Sequence, residues 1–186
     1  MISVEDLTKA TQALRASMPS AVFAVENHDG FHREQKYLAR WDLGIDDAGS
    51  AQIEEHFDQP AMKFLVRSVN HELSSDEMLE IAQKELKGIA TATHSNSSES
   101  LLEISAMGVS KGETLAKLAQ RLNISAADVI AFGDNPNDIS MLEWSGRSYA
   151  MATAHPAAQT AAKLIAPECN DDGVAQVLEK LLIADA

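Results

Sequence analysis

From about residue 106 onward, short apolar runs alternate with stretches of helical periodicity, and this alternation restricts the fold more than any other feature of the chain. VSKGETLAKLAQRLNI carries Leu115, Leu118, Ala119 and Leu122 at the spacing of a buried helical stripe. DVIAF (128–132) is an apolar run of strand length, and DISMLEWSG reads as a helix with Gly146 at its C-terminal cap. SYAMA, PAAQTAAK with Pro156 at its first helical position, LIA and GVAQVLEKLL continue the pattern. Strands separated by helices pair in parallel through right-handed crossovers, so residues 104–186 are expected to form an α/β unit of the doubly wound type.

Residues 1–103 follow a different grammar. Ser3 is a candidate N-cap for a helix with Val4, Leu7 and Leu14 on one face, and Pro19 closes it. AVFAVE (21–26), AMKFLVRSV (61–69), GIATATHS (88–95) and SLLEIS (100–105) read as strands, and SSDEMLEIAQKEL (74–86) as a helix opened by Ser75. Between them, residues 27–60 read as loops and small helices, because Trp41, Leu43, Ile45 and Ile53 are too widely scattered for one element. The expectation is a smaller α+β unit with an antiparallel sheet.

Composition narrows the range of partners. With 45% hydrophobic residues the chain can bury a core, and 15 basic against 28 acidic residues give a formal charge of −13 that repels nucleic acid and anionic membranes. Small ligands, metals or protein partners fit better. The single Cys169 can form no internal disulfide, no apolar run is long enough to span a bilayer, and MISVEDLTKATQ is too acidic for a signal peptide. A cytoplasmic location is expected. The six histidines form no metal-binding pattern and are expected at the surface, and Trp41 and Trp144 read as packing residues.

The chemistry concentrates in AFGDNPNDISML (131–142). Asp134 falls just beyond the carboxyl end of a strand, where ligands sit in open parallel sheets, and Gly133 is read as allowing a sharp turn there. Asp138 falls near the start of the next helix. Two carboxylates this close repel unless a cation or proton offsets them, and hard oxygen ligands at a strand end suit Mg²⁺. The competing reading makes Asp138 an N-cap and Asp134 a turn residue. Upstream, Ser110-Lys111-Gly112-Glu113 fits a capping box with Lys111 at the first helical position. A cation at the positive end of a helix points to an anion nearby, or else to an ordinary solvated lysine.

Together, an SKG helix start and a strand ending in GDNPND resemble the haloacid dehalogenase superfamily, in particular the Cof-type (subclass IIB) sugar-phosphate phosphatases. EISAMGVSKGETLAKLAQRL resembles the family's lysine helix with its preceding strand, and VIAFGDNPNDISMLEWSG its acidic motif. The remaining C-terminal residues resemble the family's last strand, helix and tail, and residues from about 20 to 103 resemble the latter part of its inserted cap. The resemblance implies a partial Rossmannoid sheet plus a cap. It assigns Lys111 to steady the nucleophile and the transferred phosphoryl group, Asp134 to ligate Mg²⁺, Asp138 to support the metal or its water, and Asn137 to position Lys111 or substrate.

Two departures matter. Met151-Ala152-Thr153-Ala154 stands where relatives often carry M-G-N-A. The family's opening DxDGT strand, which supplies the nucleophile and the general acid, is not found; the nearest imitation is Asn27-His28-Asp29-Gly30-Phe31, and an amide cannot replace the attacking carboxylate. That stretch reads as a hairpin turn. The chain is thus expected to resemble a member lacking about its first ninety residues, probing as the C-terminal part of a phosphatase for small phosphorylated metabolites that is inactive alone and binds Mg²⁺ weakly. The alternative is a non-catalytic binding or interaction module. An upstream fragment or self-association is expected to cover the sheet edge left open beside residues 128–132.

Overall fold

The computed structural model describes residues 1–38 and 48–184, so Trp41, Leu43 and Ile45 lie outside the described residues. The chain divides into two compact units, Met1–Val109 and Ser110–Ala186.

The first unit is built on a five-stranded antiparallel sheet. Its strands β1 (Ala21–Asn27), β2 (Gly30–Arg33), β3 (Lys63–Ser68), β4 (Ala90–Thr93) and β5 (Leu101–Ala106) lie in the order β2-β1-β3-β5-β4. Helices α1 (Val4–Ser17) and α2 (Ser75–Glu85) contribute Leu7, Leu14, Met78 and Ala82 to a core with Phe23, Phe64 and their neighbours. Strand alternation explains which residues these are: along β3 Phe64, Val66 and Ser68 are buried while the intervening residues are half-buried. Ser3 caps α1 by accepting the Asp6 N–H at 3.1 Å. The buried Glu34 carboxylate accepts the backbone N–H groups of Phe23 (3.0 Å) and Ile53 (3.1 Å) and pairs with Arg15, which also bonds Glu54 at 2.9 Å.

Several expectations change here. Among its described residues, the stretch expected as loops and small helices contains β2, which pairs with β1 through the Asn27–Gly30 hairpin, and a short 3₁₀ helix, Ile53–His56. The hairpin reading of NHDGF holds, with the Asp29 N–H donating to the Asn27 side chain at 3.0 Å. Helix α2 is capped by Ser74 rather than Ser75, because Ser74 and Glu77 satisfy each other's backbone N–H groups in a full capping box. His94 is fully buried instead of exposed, and its Nε2 lies 2.7 Å from Asp76 Oδ1.

The second unit is a three-stranded parallel sheet. β6 (Ile130–Gly133), β7 (Arg147–Met151) and β8 (Leu164–Ala166) lie in sequence order, with α3 (Lys111–Leu122), α4 (Ile139–Trp144), α5 (Pro156–Ala161) and α6 (Gly173–Ala184) interleaved as the alternation implies. Its core is Leu142, Tyr149, Met151 and Val177 among alanines, with Phe132 stacked on Tyr149 at 5.2 Å. The α3 stripe is not buried as expected. Ala119 is covered, but Leu118 and Leu122 are 52% and 59% exposed. β6 pairs only with β7, so among the described residues its other edge is unpaired and the sheet extends no further in that direction. Helix α4 ends at the cap Ser145, one residue before the expected Gly146.

Candidate active site

The charged residues singled out by the motifs, Lys111, Asp134 and Asp138, all belong to the second unit, and Asp138 links the other two. Strand β6 ends at Gly133, and the chain passes through Asp134 and Asn135 into a 3₁₀ turn, Pro136–Asp138, that leads into α4. Asp138 does not cap α4: it makes no side-chain cap bond there. Its carboxylate folds back over the strand end instead. Oδ2 accepts the N–H groups of Asp134 at 2.9 Å and Asn135 at 3.2 Å, and Oδ1 accepts from the Lys111 ammonium at the start of α3. The Asp138 side chain is 5% exposed and that of Lys111 49%, so the anion is held inside and the cation reaches it from the rim.

Gly133 makes this fold-back possible. A Cβ there would fall 2.5 Å from Asp138 Cβ and 2.9 Å from its Cγ, nearer than real Cβ contacts come. The glycine therefore leaves room for a carboxylate, where a sharp turn had been expected. Asp134 is exposed, and its carboxylate makes no hydrogen bond or ion pair to another described residue. Its carbonyl oxygen accepts the His155 N–H at 2.8 Å, which ties the loop after β6 to the loop after β7. The Asn137 Oδ1 is buried and has no hydrogen-bond partner among the described residues. At the N-terminus of α3, Ser110 Oγ accepts the Glu113 N–H at 3.1 Å, but no return bond from the Glu113 side chain completes the expected box.

This donor set fits a hard cation in part. Asp134 offers an uncommitted carboxylate, and Asn137 an unsatisfied amide oxygen. Asp138 has already used three of its roughly four lone-pair positions on Lys111 and two N–H groups. Asp134 is consequently the residue free to meet a metal, and Asp138 the one that holds Asp134 and Lys111 in register. His155 as an anchor of Asp134 carried no sequence signal, because it acts through its main-chain N–H.

The haloacid dehalogenase-like hydrolase family profile matches residues 5–178. The chain belongs to that family. Among curated relatives, this haloacid dehalogenase-like chain is 43% identical over 75 residues to the putative phosphatase YxeH of Bacillus subtilis, a match covering 40% of the chain and 28% of YxeH. It is 34% identical over 116 residues to the 5-amino-6-(5-phospho-D-ribitylamino)uracil phosphatase YbjI of Escherichia coli, covering 60% of the chain and 42% of YbjI. Among solved structures, 98% of the chain superposes on 68% of a subclass IIB sugar phosphatase with a TM-score of 0.76 at 17% identity. The haloacid dehalogenase-like α/β fold is thereby shown, although the chain spans less than half the length of the curated relatives it matches. No described helix of this family member is long and apolar enough to cross a membrane.

Proposed function

We propose that this chain supplies the lysine–aspartate half of a Cof-type, Mg²⁺-dependent phosphatase acting on small phosphorylated metabolites of the sugar-phosphate kind. The observation that supports this reading best is the Lys111–Asp138 pair locked by hydrogen bonds to Asp134 at the carboxyl end of β6. In this reading the nucleophile is the first aspartate of a DxDGT segment, which these 186 residues do not contain. That carboxylate attacks phosphorus, the bond to the leaving alkoxide breaks with a proton delivered by the segment's second aspartate, and water then releases phosphate from the acyl phosphate. Lys111 places positive charge where the phosphoryl oxygens gather negative charge, and Asp138 fixes the Lys111 ammonium and the Asp134 loop before substrate arrives. Asp134 would ligate Mg²⁺, which when bound neutralises phosphoryl oxygens, and Asn137 would position Lys111 or substrate. The first unit acts as the cap that shapes substrate choice, and the protein works in the cytoplasm.

The unpaired edge of β6 and the exposed Leu118 and Leu122 favour a chain that works against a further polypeptide segment. The same surface would serve a non-catalytic interaction module or a second copy of this chain. One experiment separates these readings. Fusing a DxDGT strand–helix segment ahead of Met1, or supplying it in trans, is expected to give Mg²⁺-dependent hydrolysis of p-nitrophenyl phosphate that falls at least about 100-fold in Asp134→Ala and in Lys111→Ala. Asp29→Ala is expected to leave turnover intact. A bound segment without turnover would establish the interaction module instead.

A further inference from the structure

Helix α3 meets α4 at a residue without a side chain. A Cβ on Gly112 would lie 2.3 Å from the carbonyl oxygen of Ser140 and 2.5 Å from its carbonyl carbon, both backbone atoms that cannot swing aside. At the same point the Gly112 N–H donates to Ser140 Oγ at 3.1 Å. This N–H is one of the first-turn donors that a helix cannot satisfy internally. Ser110 satisfies the next donor, that of Glu113, from within the same segment. Gly112 thus receives its cap from another helix. The two flanking residues give this contact its meaning: Lys111 precedes Gly112, and Ser140 lies two residues after Asp138.

We propose that Gly112 and Ser140 form a positioning clamp that sets the distance between the α3 N-terminus and the 3₁₀ turn, and thereby holds the Lys111 ammonium on Asp138. A lysine stem is flexible, so the ammonium of this half-exposed side chain stays on one acceptor only when its Cα is fixed at the right distance. Bringing a methyl on residue 112 from 2.3 Å out to ordinary contact at 3.4 Å or more moves α3 about 1 Å away from α4. A displacement of about 1 Å in a positioning element is enough to cost on the order of 100-fold in a reaction that depends on it. Ser140 contributes direction as well as spacing, because its hydroxyl accepts along the N–H of the turn that carries Lys111. Neither residue touches the reacting atoms; both act through Lys111. The inference rests on the proposed function only in calling Lys111 the charge-stabilising group.

The test reads the ion pair directly in the 186-residue chain, by nitrogen–proton NMR of the lysine ammonium groups at low temperature and mildly acidic pH. In the parent protein the Lys111 ammonium is expected to exchange more slowly with water than those of the other lysines. Gly112→Ala is expected to speed its exchange by about tenfold, the equivalent of one lost hydrogen bond. Ser140→Ala should give a smaller acceleration, and Ser140→Thr, which keeps the hydroxyl, should restore slow exchange. The methyl signals of Leu142 and Ala158 should stay in place in all three, which a general loosening of the unit would not allow. Unchanged Lys111 exchange in folded Gly112→Ala, or a Ser140→Thr protein that behaves like Ser140→Ala, overturns the clamp. If Gly112→Ala does not fold, the two Ser140 variants decide. The readout needs no phosphatase activity, so failure of the clamp and failure of the functional reading are separate results.

Discussion

The two units differ in how they bury apolar side chains. Of the twelve largest fully buried side chains only Leu142 belongs to the second unit, so the first unit has a core of its own. Among the described residues, ten of the fifteen large exposed apolar side chains lie in the second unit, where alanines make up half of the buried core. The physical origin lies in the sheets. Five antiparallel strands carry two helices across one face, whereas three short parallel strands leave β6 with an edge unpaired among the described residues and α3 with Leu118 and Leu122 facing solvent. The first unit has the larger packed core, and in the second, where less is buried, polar side chains also pin the loops in place. Chief among these is Asp138, which also serves the candidate site.

The largest expected effect strikes the packed unit. Phe64 is fully buried, stacked on Phe23 at 5.3 Å and edge-on to Phe57 at 6.0 Å. Phe64→Ala should cost about 3–5 kcal/mol in chemical denaturation. Hydrogen exchange should show the loss in β1, β3 and β5, with the amides of β7 unaffected. A cost below about 1 kcal/mol would contradict a core that depends on close packing.

A smaller effect is expected in the pinned unit. Asp138→Ala removes the acceptor of two backbone N–H groups and of Lys111, leaving the Asp134 loop held by its main-chain bond from His155. Because Lys111 is half exposed and recovers hydration, the cost should be about 1–3 kcal/mol. Exchange should accelerate at residues 134–138 while the first unit stays as it was. Uniform loosening of both units would show that the pin is not local.

The smallest expected effect is on pH dependence. Burial is the largest single influence on Glu54 and raises its pKa, but the hydrogen bond from Arg15, a backbone hydrogen bond and the Arg15 charge together outweigh it and hold the carboxyl below its ordinary value. A carboxyl with a depressed folded-state pKa contributes stability that is present above its unfolded pKa and lost as pH falls through the folded one. In melts of the parent and Glu54→Gln proteins, the parent's advantage should therefore shrink through the acidic range below the ordinary carboxylate pKa and be absent at the lowest pH. An advantage that grows on acidification would contradict the pairing.

Much of this was legible in sequence because it rests on local rules. β1 and β3 are legible from their β-branched and aromatic runs, and α1 from Ser3 and its apolar spacing. β2 was missed because the four residues Gly30–Arg33 show no alternation and are a strand only by pairing with β1. Periodicity correctly placed α3 but not its burial, since a stripe shows which face is apolar and not whether anything covers it. At the candidate site, spacing located the Asp134 and Asp138 carboxylates. It could not distinguish an N-cap from a side chain folded back onto the strand end, because that choice depends on the room left by Gly133 and on Lys111 arriving from α3.

The division of labour in the proposed reaction can be read from where the phosphoryl group becomes covalently attached. With a DxDGT segment supplied in trans, rapid acid quenching during turnover followed by mass spectrometry should find the acyl phosphate on the segment's first aspartate and none on this chain. Phosphate found instead on Asp134, Asp138 or Asp29 would contradict the account, because the nucleophile would then belong to these 186 residues.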